Sequence, residues 1–359
     1  MMNTKMVAAR FCMIVLCIMS FLLFTGPTIS AKPKEDETNK HKGWENVVEK
    51  FIEHEKTPPD HVDNPLFQYV RDALEVELFH MVPVGEIGVT YQVPSCSFYC
   101  GYWETNDAGT AYVMGGYLMA TTETTYELWY YIRTWAMEHG YAFQNAGTEG
   151  SEGLPGALPT ENSLQPVTSI SFRDMVVWLN ALSEYDQYEP VYRTLSGEII
   201  RNSTDAFAQI VDHAVQTSYK GYRLPTNVEW EMAAKWKNDV ESTHGSIYRG
   251  GRYWTPHNYS SGATGPIYDT LATNAVAWHM GNSGGKSQPV GLLNPNDLGI
   301  YDMSGNMWEL TFSPLYAGRQ NRGGGWENSS LHTQVGVSRY WGYPEWAYNN
   351  SGFRFVINM

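Results

Sequence analysis

Three short glycine-bearing runs near the C-terminus constrain this chain more than any other feature. The first, residues 298–309, reads Leu-Gly-Ile-Tyr-Asp-Met-Ser-Gly-Asn-Met-Trp-Glu. Arg-Gly-Gly-Gly-Trp follows at 322–326 and Gly-Phe-Arg-Phe at 352–355. Gly299 and Gly305 bracket a short apolar run and mark tight backbone positions. Gly323, Gly324 and Gly325 let a strand enter a crowded place where a Cβ would clash. Asn306 and Glu309 set an amide and a carboxylate beside Trp308. The reading is a buried turn, packed beside Trp326 and Phe353.

Upstream, three helices announce themselves through their caps. Thr124 with Glu127 predicts a helix over 126–138, with Leu128, Trp129, Ile132 and Trp135 on its apolar face. Ser171 with Asp174 predicts one over 172–183, and Thr226 with Glu229 one over 227–237. In each, a hydroxyl accepts an orphan backbone N–H while the acid reaches back. Val89-Thr-Tyr-Gln-Val alternates as a strand does, and residues 191–201, with Leu195-Ser-Gly at the middle, read as a hairpin. Between these lie Gly-, Ser- and Asn-rich loops, longest at 143–163 and 244–286. No 20–50-residue repeat is present.

The N-terminus has the three parts of a secretory signal. Lys5 and Arg10 precede an apolar run at 11–24, and small residues follow Pro27. The run is short for a bilayer span. Residues 1–31 are therefore read as a signal peptide, and the protein as exported: periplasmic, surface-associated or secreted. Residues 32–80 read as a charged linker with short helices. One of these carries Trp44, Val47, Val48, Phe51 and Ile52 at helical spacing, a spacer or a means of surface association. Of the four cysteines, Cys12 and Cys17 leave with the signal. Cys96 and Cys100 remain, and their spacing fits a local disulfide and two free thiols equally. A net charge of −14 excludes nucleic acid as a partner, which demands a concentrated Lys/Arg face.

With Gly221-Tyr-Arg-Leu-Pro-Thr-x-x-Glu-Trp-Glu, the three C-terminal runs resemble the formylglycine-generating enzyme, or sulfatase-modifying factor, family. The resemblance spans residues 81–359. It implies an α+β C-type lectin-like fold with much irregular structure, which accounts for the long loops. It also implies two copper(I)-binding cysteines after the glycine run, used to oxidise a cysteine of a client sulfatase. Counting as the family does from Trp326 reaches Asn328 and Thr333, neither of them a thiol. Amides and hydroxyls are hard, weak ligands for this soft metal, so copper is not expected. The resemblance further implies calcium at Asn306, through its side chain and nearby carbonyls, and at Asn258. Backbone hydrogen bonding in loops is the other reading of both asparagines.

Residues 326–350 stand apart in composition. Asn328, Ser330, His332, Tyr340, Trp341, Tyr343, Trp346, Tyr348, Asn349 and Asn350 combine stiff aromatic rings with small polar groups, as antibody paratopes do. The same stretch resembles the variable region of lectin-fold proteins diversified by retroelements. That resemblance makes Arg339, Pro344 and Gly352 scaffold, and 340–343 and 345–350 surface. The function expected is a non-catalytic recognition protein that binds an extracytoplasmic protein or glycan through this surface. The alternative is an exported formylglycine-generating-type oxidase relying on Cys96 and Cys100.

Overall fold

The computed structural model describes residues 80–95, 107, 109–204, 215–216, 220–238 and 246–359. The signal segment, the Trp44 stretch, Cys96 and Cys100 lie outside these. Leu74–Met359 is one compact unit.

Helix α1, Tyr126–Glu138, begins one residue later in its cap than the sequence suggests. Thr125, not Thr124, accepts the Leu128 N–H, at 3.3 Å. Thr124 is spent elsewhere: its N–H donates to Phe353 O at 2.9 Å and its carbonyl accepts from Val167 N at 2.9 Å. Tertiary backbone pairing thus decides between two adjacent threonines. Helix α2, Phe172–Tyr185, and helix α3, Asn227–Lys235, carry the expected capping boxes at Ser171/Asp174 and Thr226/Glu229. Helix α2 runs two residues past the predicted end. Helix α3 stops two residues short of it, because Trp236 turns extended and bridges to Trp254. The predicted hairpin forms, with Thr194 N donating to Glu198 O at 2.9 Å and Ile200 N to Tyr192 O at 3.2 Å.

Two four-stranded sheets organise the rest. Met81–Val84, Tyr117–Ala120, Val356–Asn358 and Tyr222–Arg223 lie side by side in that order, all antiparallel. The second sheet runs Ser338–Trp341, Gly318–Arg322, Trp308–Leu315 and Ser351–Gly352, the last pairing being parallel. Thr90–Ser95 and Gly109–Met114 form a separate two-stranded ribbon.

The core has two parts. One surrounds α1 and α2, where Trp129 and Trp178 stack at 5.6 Å and Phe353 meets both edge-on. The other surrounds α3, with Trp230, Trp254, Met119, Ile300, Met303 and Val356 buried together. Burying an aromatic side chain of this size contributes roughly 1.5–3 kcal/mol, so the Trp129–Trp178–Phe353 cluster ties the C-terminal run to both helices. Trp326, expected in the core, is only half-buried. No helix among the described residues is long and apolar enough to cross a membrane.

Candidate functional site

The 298–309 turn is buried as predicted, and its glycines and asparagine explain how. Gly305 has φ 83°, and a Cβ there would lie 2.2 Å from Trp278 O. Asn306, at φ 57°, donates its N–H to Trp278 O at 2.9 Å and accepts from Trp326 N at 2.8 Å. The turn is therefore clamped between two loops and delivers Trp326 to the start of the aromatic segment.

Its side chains build a fully buried polar centre. Glu309 receives Trp230 Nε1–H at 2.7 Å and both arms of Arg354, at 2.6 and 2.7 Å. Glu123 accepts the Asn306 amide at 2.7 Å and Met307 N–H at 3.0 Å. Burial, then the charges of Asp302 and Glu309, push Glu123 well above the usual carboxylate range. Burial likewise pushes Asp302 up to about 6, though Gly291 donates an N–H to it at 2.7 Å. Glu123 carries no signal in the sequence. In the structure Glu309 pairs with Arg354, Glu229 with Arg223, and Glu231 with Lys235 and Arg322. Such buried acids owe their place to their cations, since an unpaired charge there is costly.

The Asn306 carboxamide is engaged on both sides. Its oxygen accepts Gln288 N–H at 2.9 Å and its amide donates to Glu123 and to Gln288 O. A calcium ion there would compete with Gln288 for that oxygen. Asn258 is half-buried, and its carbonyl accepts Ile267 N–H at 2.8 Å. No group of three or more His, Cys, Asp or Glu side chains with metal-holding geometry occurs among the described residues.

Asn328 and Thr333, which the family resemblance sets opposite its copper-binding cysteines, carry hydrogen-bonded side chains. Asn328 is half-buried, and its side-chain oxygen accepts Gly325 N–H at 3.1 Å. Thr333 is fully buried, with its hydroxyl 2.8 Å from Ser260 Oγ and 2.9 Å from Ser330 O. Neither supplies a soft donor, so these residues do not fit copper(I). Ser330 and His332 sit half-buried on the short 3₁₀ turn Ser330–His332. The His332 ring meets Trp308 edge-on at 6.1 Å, and burial lowers its pKa.

Beyond them the aromatic segment opens to solvent. Tyr343 is 49% exposed, Trp346 41% and Tyr348 41%. They form a ladder of perpendicular rings, with centroids 5.2 Å apart for Tyr343–Trp346 and 5.8 Å for Trp346–Tyr348. Pro344 and Gly352 are buried, as scaffold residues should be. Gly342, read as surface, is buried as well, because Trp346 covers it; a Cβ there would lie 2.1 Å from the indole. Asn349 donates to Ser151 O at 3.2 Å, and the Asn350 amide donates to Glu327. Tyr340 and Trp341 lie on the edge strand, paired with Gln320 and Arg319; their side chains are outside the described set. Polar centre and ladder are thus one construction, joined through Trp326 at one end and Ser351–Gly352 at the other.

Comparison with known proteins gives the family and the fold. Residues 76–359 match the sulfatase-modifying factor enzyme 1-like domain, and the chain belongs to that family. It is 30% identical over 193 residues to the chaperone protein LppX of Paenibacillus barcinonensis, covering 46% of this chain and 60% of that protein. Inactive C-alpha-formylglycine-generating enzyme 2 of Bos taurus is 30% identical over 152 residues, 40% of this chain and 46% of the relative. The chain thus spans about half the length of these curated relatives. Among solved structures, CarF superposes with a TM-score of 0.58 at 24% identity, covering 78% of this chain and 98% of CarF. Treponema denticola variable protein 1 gives 0.54 at 24% identity, over 78% of this chain and 95% of that one. The fold is accordingly the α+β C-type lectin-like fold of the sulfatase-modifying-factor type.

Proposed function

We propose that this chain is an exported, non-catalytic recognition protein built on a sulfatase-modifying-factor domain. It grips an extracytoplasmic protein or glycan with the aromatic surface at 340–350. The observation that carries the reading is the pairing of two features in one stretch. Where the family's enzymes hold copper stand Asn328 and a buried, hydrogen-bonded Thr333. A few residues on, three large rings face solvent together. Exposed aromatic ladders are rare on surfaces without a partner, and rings of this kind anchor interfaces at about 2 kcal/mol or more each at a hot spot. A relative described as an inactive formylglycine-generating enzyme is consistent with loss of the oxidase chemistry. Export rests on the signal-like segment 1–31.

The test has two arms. Purified mature chain, copper(I) and a cysteine-bearing sulfatase-type peptide are expected to yield no aldehyde. Aldehyde that disappears in Cys96→Ser or Cys100→Ser would establish the oxidase instead. In the second arm, glycan and peptide arrays are probed with wild type and Trp346→Ala. Binding should be lost in the variant at an unchanged Tm; unfolding of the variant would return Trp346 to the core and remove the recognition reading.

A further inference from the structure

The ladder is a fixed object rather than three loose side chains. Trp346 packs over Gly342, and Tyr343 and Tyr348 stand near-perpendicular to it at 79° and 87°. One N–H of each flanking amide is engaged: Asn349 donates to Ser151 O, and Asn350 to Glu327. Around these contacts the surface offers aromatic faces and carboxylates.

The carboxylates gather from three segments. Glu345 lies within the ladder and is 39% exposed, held from beneath by the buried Arg173 at 3.1 Å. Glu327 is exposed beside Asn350. Glu152, 71% exposed, follows the Ser151 that receives Asn349. The cations paired with them among the described residues are Arg173 beneath Glu345 and Lys286 beside Glu152. Residues 134–172 contain Glu138, Glu149, Glu152 and Glu161 but neither Lys nor Arg, and 340–353 contain Glu345 and neither. Lys286 stands 3.7 Å from Glu152 with both groups exposed, a pairing of little strength. Arg339, on the strand before the ladder, is half-buried.

Building on the recognition reading above, we infer that the partner is a basic polypeptide segment. Its Lys or Arg heads lie over the rings of Tyr343, Trp346 and Tyr348 and pair with Glu152, Glu327 and Glu345. A guanidinium or ammonium over an aromatic face is attracted by the ring quadrupole, most strongly at Trp. Flanking carboxylates raise the local concentration of such a segment and, with the chain's net charge of −14, speed its arrival.

The full mature chain is titrated into a fluorescein-labelled alternating Arg-Ser decapeptide at physiological salt and read by anisotropy. A Glu-Ser decapeptide and cellohexaose serve as comparators. The Arg-Ser peptide is expected to bind, to weaken about tenfold in Trp346→Ala, and to weaken severalfold in Glu152→Gln. Glu198→Gln, an exposed acid outside all three segments, is expected to change nothing. Equal losses for Glu152→Gln and Glu198→Gln, with none for Trp346→Ala, would mean bulk charge attraction and overturn the inference. Cellohexaose binding that depends on Trp346 would overturn it too, while leaving the recognition reading intact. A dimer that sediments as a monomer in Trp346→Ala would likewise assign the surface to a second copy of the chain.

Discussion

Asp302→Asn reads the buried polar centre most directly. The Asp302 carboxyl is 3% exposed; Oδ2 accepts the Gly291 N–H at 2.7 Å, and Oδ1 is buried without a hydrogen-bond partner. Burial, with the Glu309 charge adding to it, lifts its pKa from 3.8 to about 6 against the pull of Gly291 and Arg354. A carboxyl raised on folding stabilises fully below its unfolded pKa, and that stability is lost as pH rises through the folded one. The full loss is about 3 kcal/mol at roughly 1.4 kcal/mol per pKa unit, of which about 2.4 kcal/mol falls between pH 4 and 7. His257 tilts the curve the other way. Burial of its ring lowers its pKa from 6.5 to about 4, so stability is present above the unfolded value and falls as pH drops toward 4. In wild type the two slopes oppose each other between pH 4 and 6. Asparagine keeps the acceptor for Gly291 and tolerates the φ of 54°; it removes the Asp302 slope, eases the rise at Glu123 by taking away the Asp302 charge, and leaves the His257 slope. Urea unfolding across pH 4 to 7 should show the variant gaining about 2.4 kcal/mol relative to wild type over that window. An unpaired amide costs about 1–3 kcal/mol but shifts the whole curve without tilting it. Parallel pH profiles for the two proteins would refute a raised Asp302.

Two further outcomes follow from named contacts. Arg354→Met leaves Glu309 buried beside Glu123 and Asp302 without its cation, and should cost about 3–5 kcal/mol in denaturant unfolding. Gly342→Ala forces a Cβ to within 2.1 Å of the Trp346 ring; it should destabilise by about 1–3 kcal/mol and red-shift the tryptophan emission as the ring lifts into solvent.

What the sequence made legible was local. Capping boxes at Ser171 and Thr226 lie within four residues, and the glycines of the 298–309 turn declare their backbone directly, so both could be read without a fold. Exposure of Tyr343, Trp346 and Tyr348 was legible from the company they keep. Glu123 was not, because its partners Asn306 and Met307 are 183 and 184 residues away. The choice between Thr124 and Thr125 depended on Phe353, far along the chain. Trp326 looked like core by residue type, yet it serves as the hinge from a buried turn to an open segment, which composition does not reveal.

The ends of the 326–350 segment are fastened to the same turn. Trp326 N–H reaches Asn306 O at 2.8 Å, and Trp308 N–H reaches Asn350 O at 3.0 Å. Its closure is therefore guaranteed by the framework and not by its own contents. Midway, the chain dips back inward, with Thr333, Val335 and Val337 fully buried. That dip divides the segment into two outward lobes that do not have to satisfy each other. Substitution should be absorbed at the exposed positions of the 343–349 lobe, Tyr343, Trp346 and Tyr348, where a change of sequence is a change of surface, but not at buried Pro344. The same change at Thr333, Val335 or Val337 would be a change of fold, which makes the protein a socket whose lining is replaceable and whose rim is not.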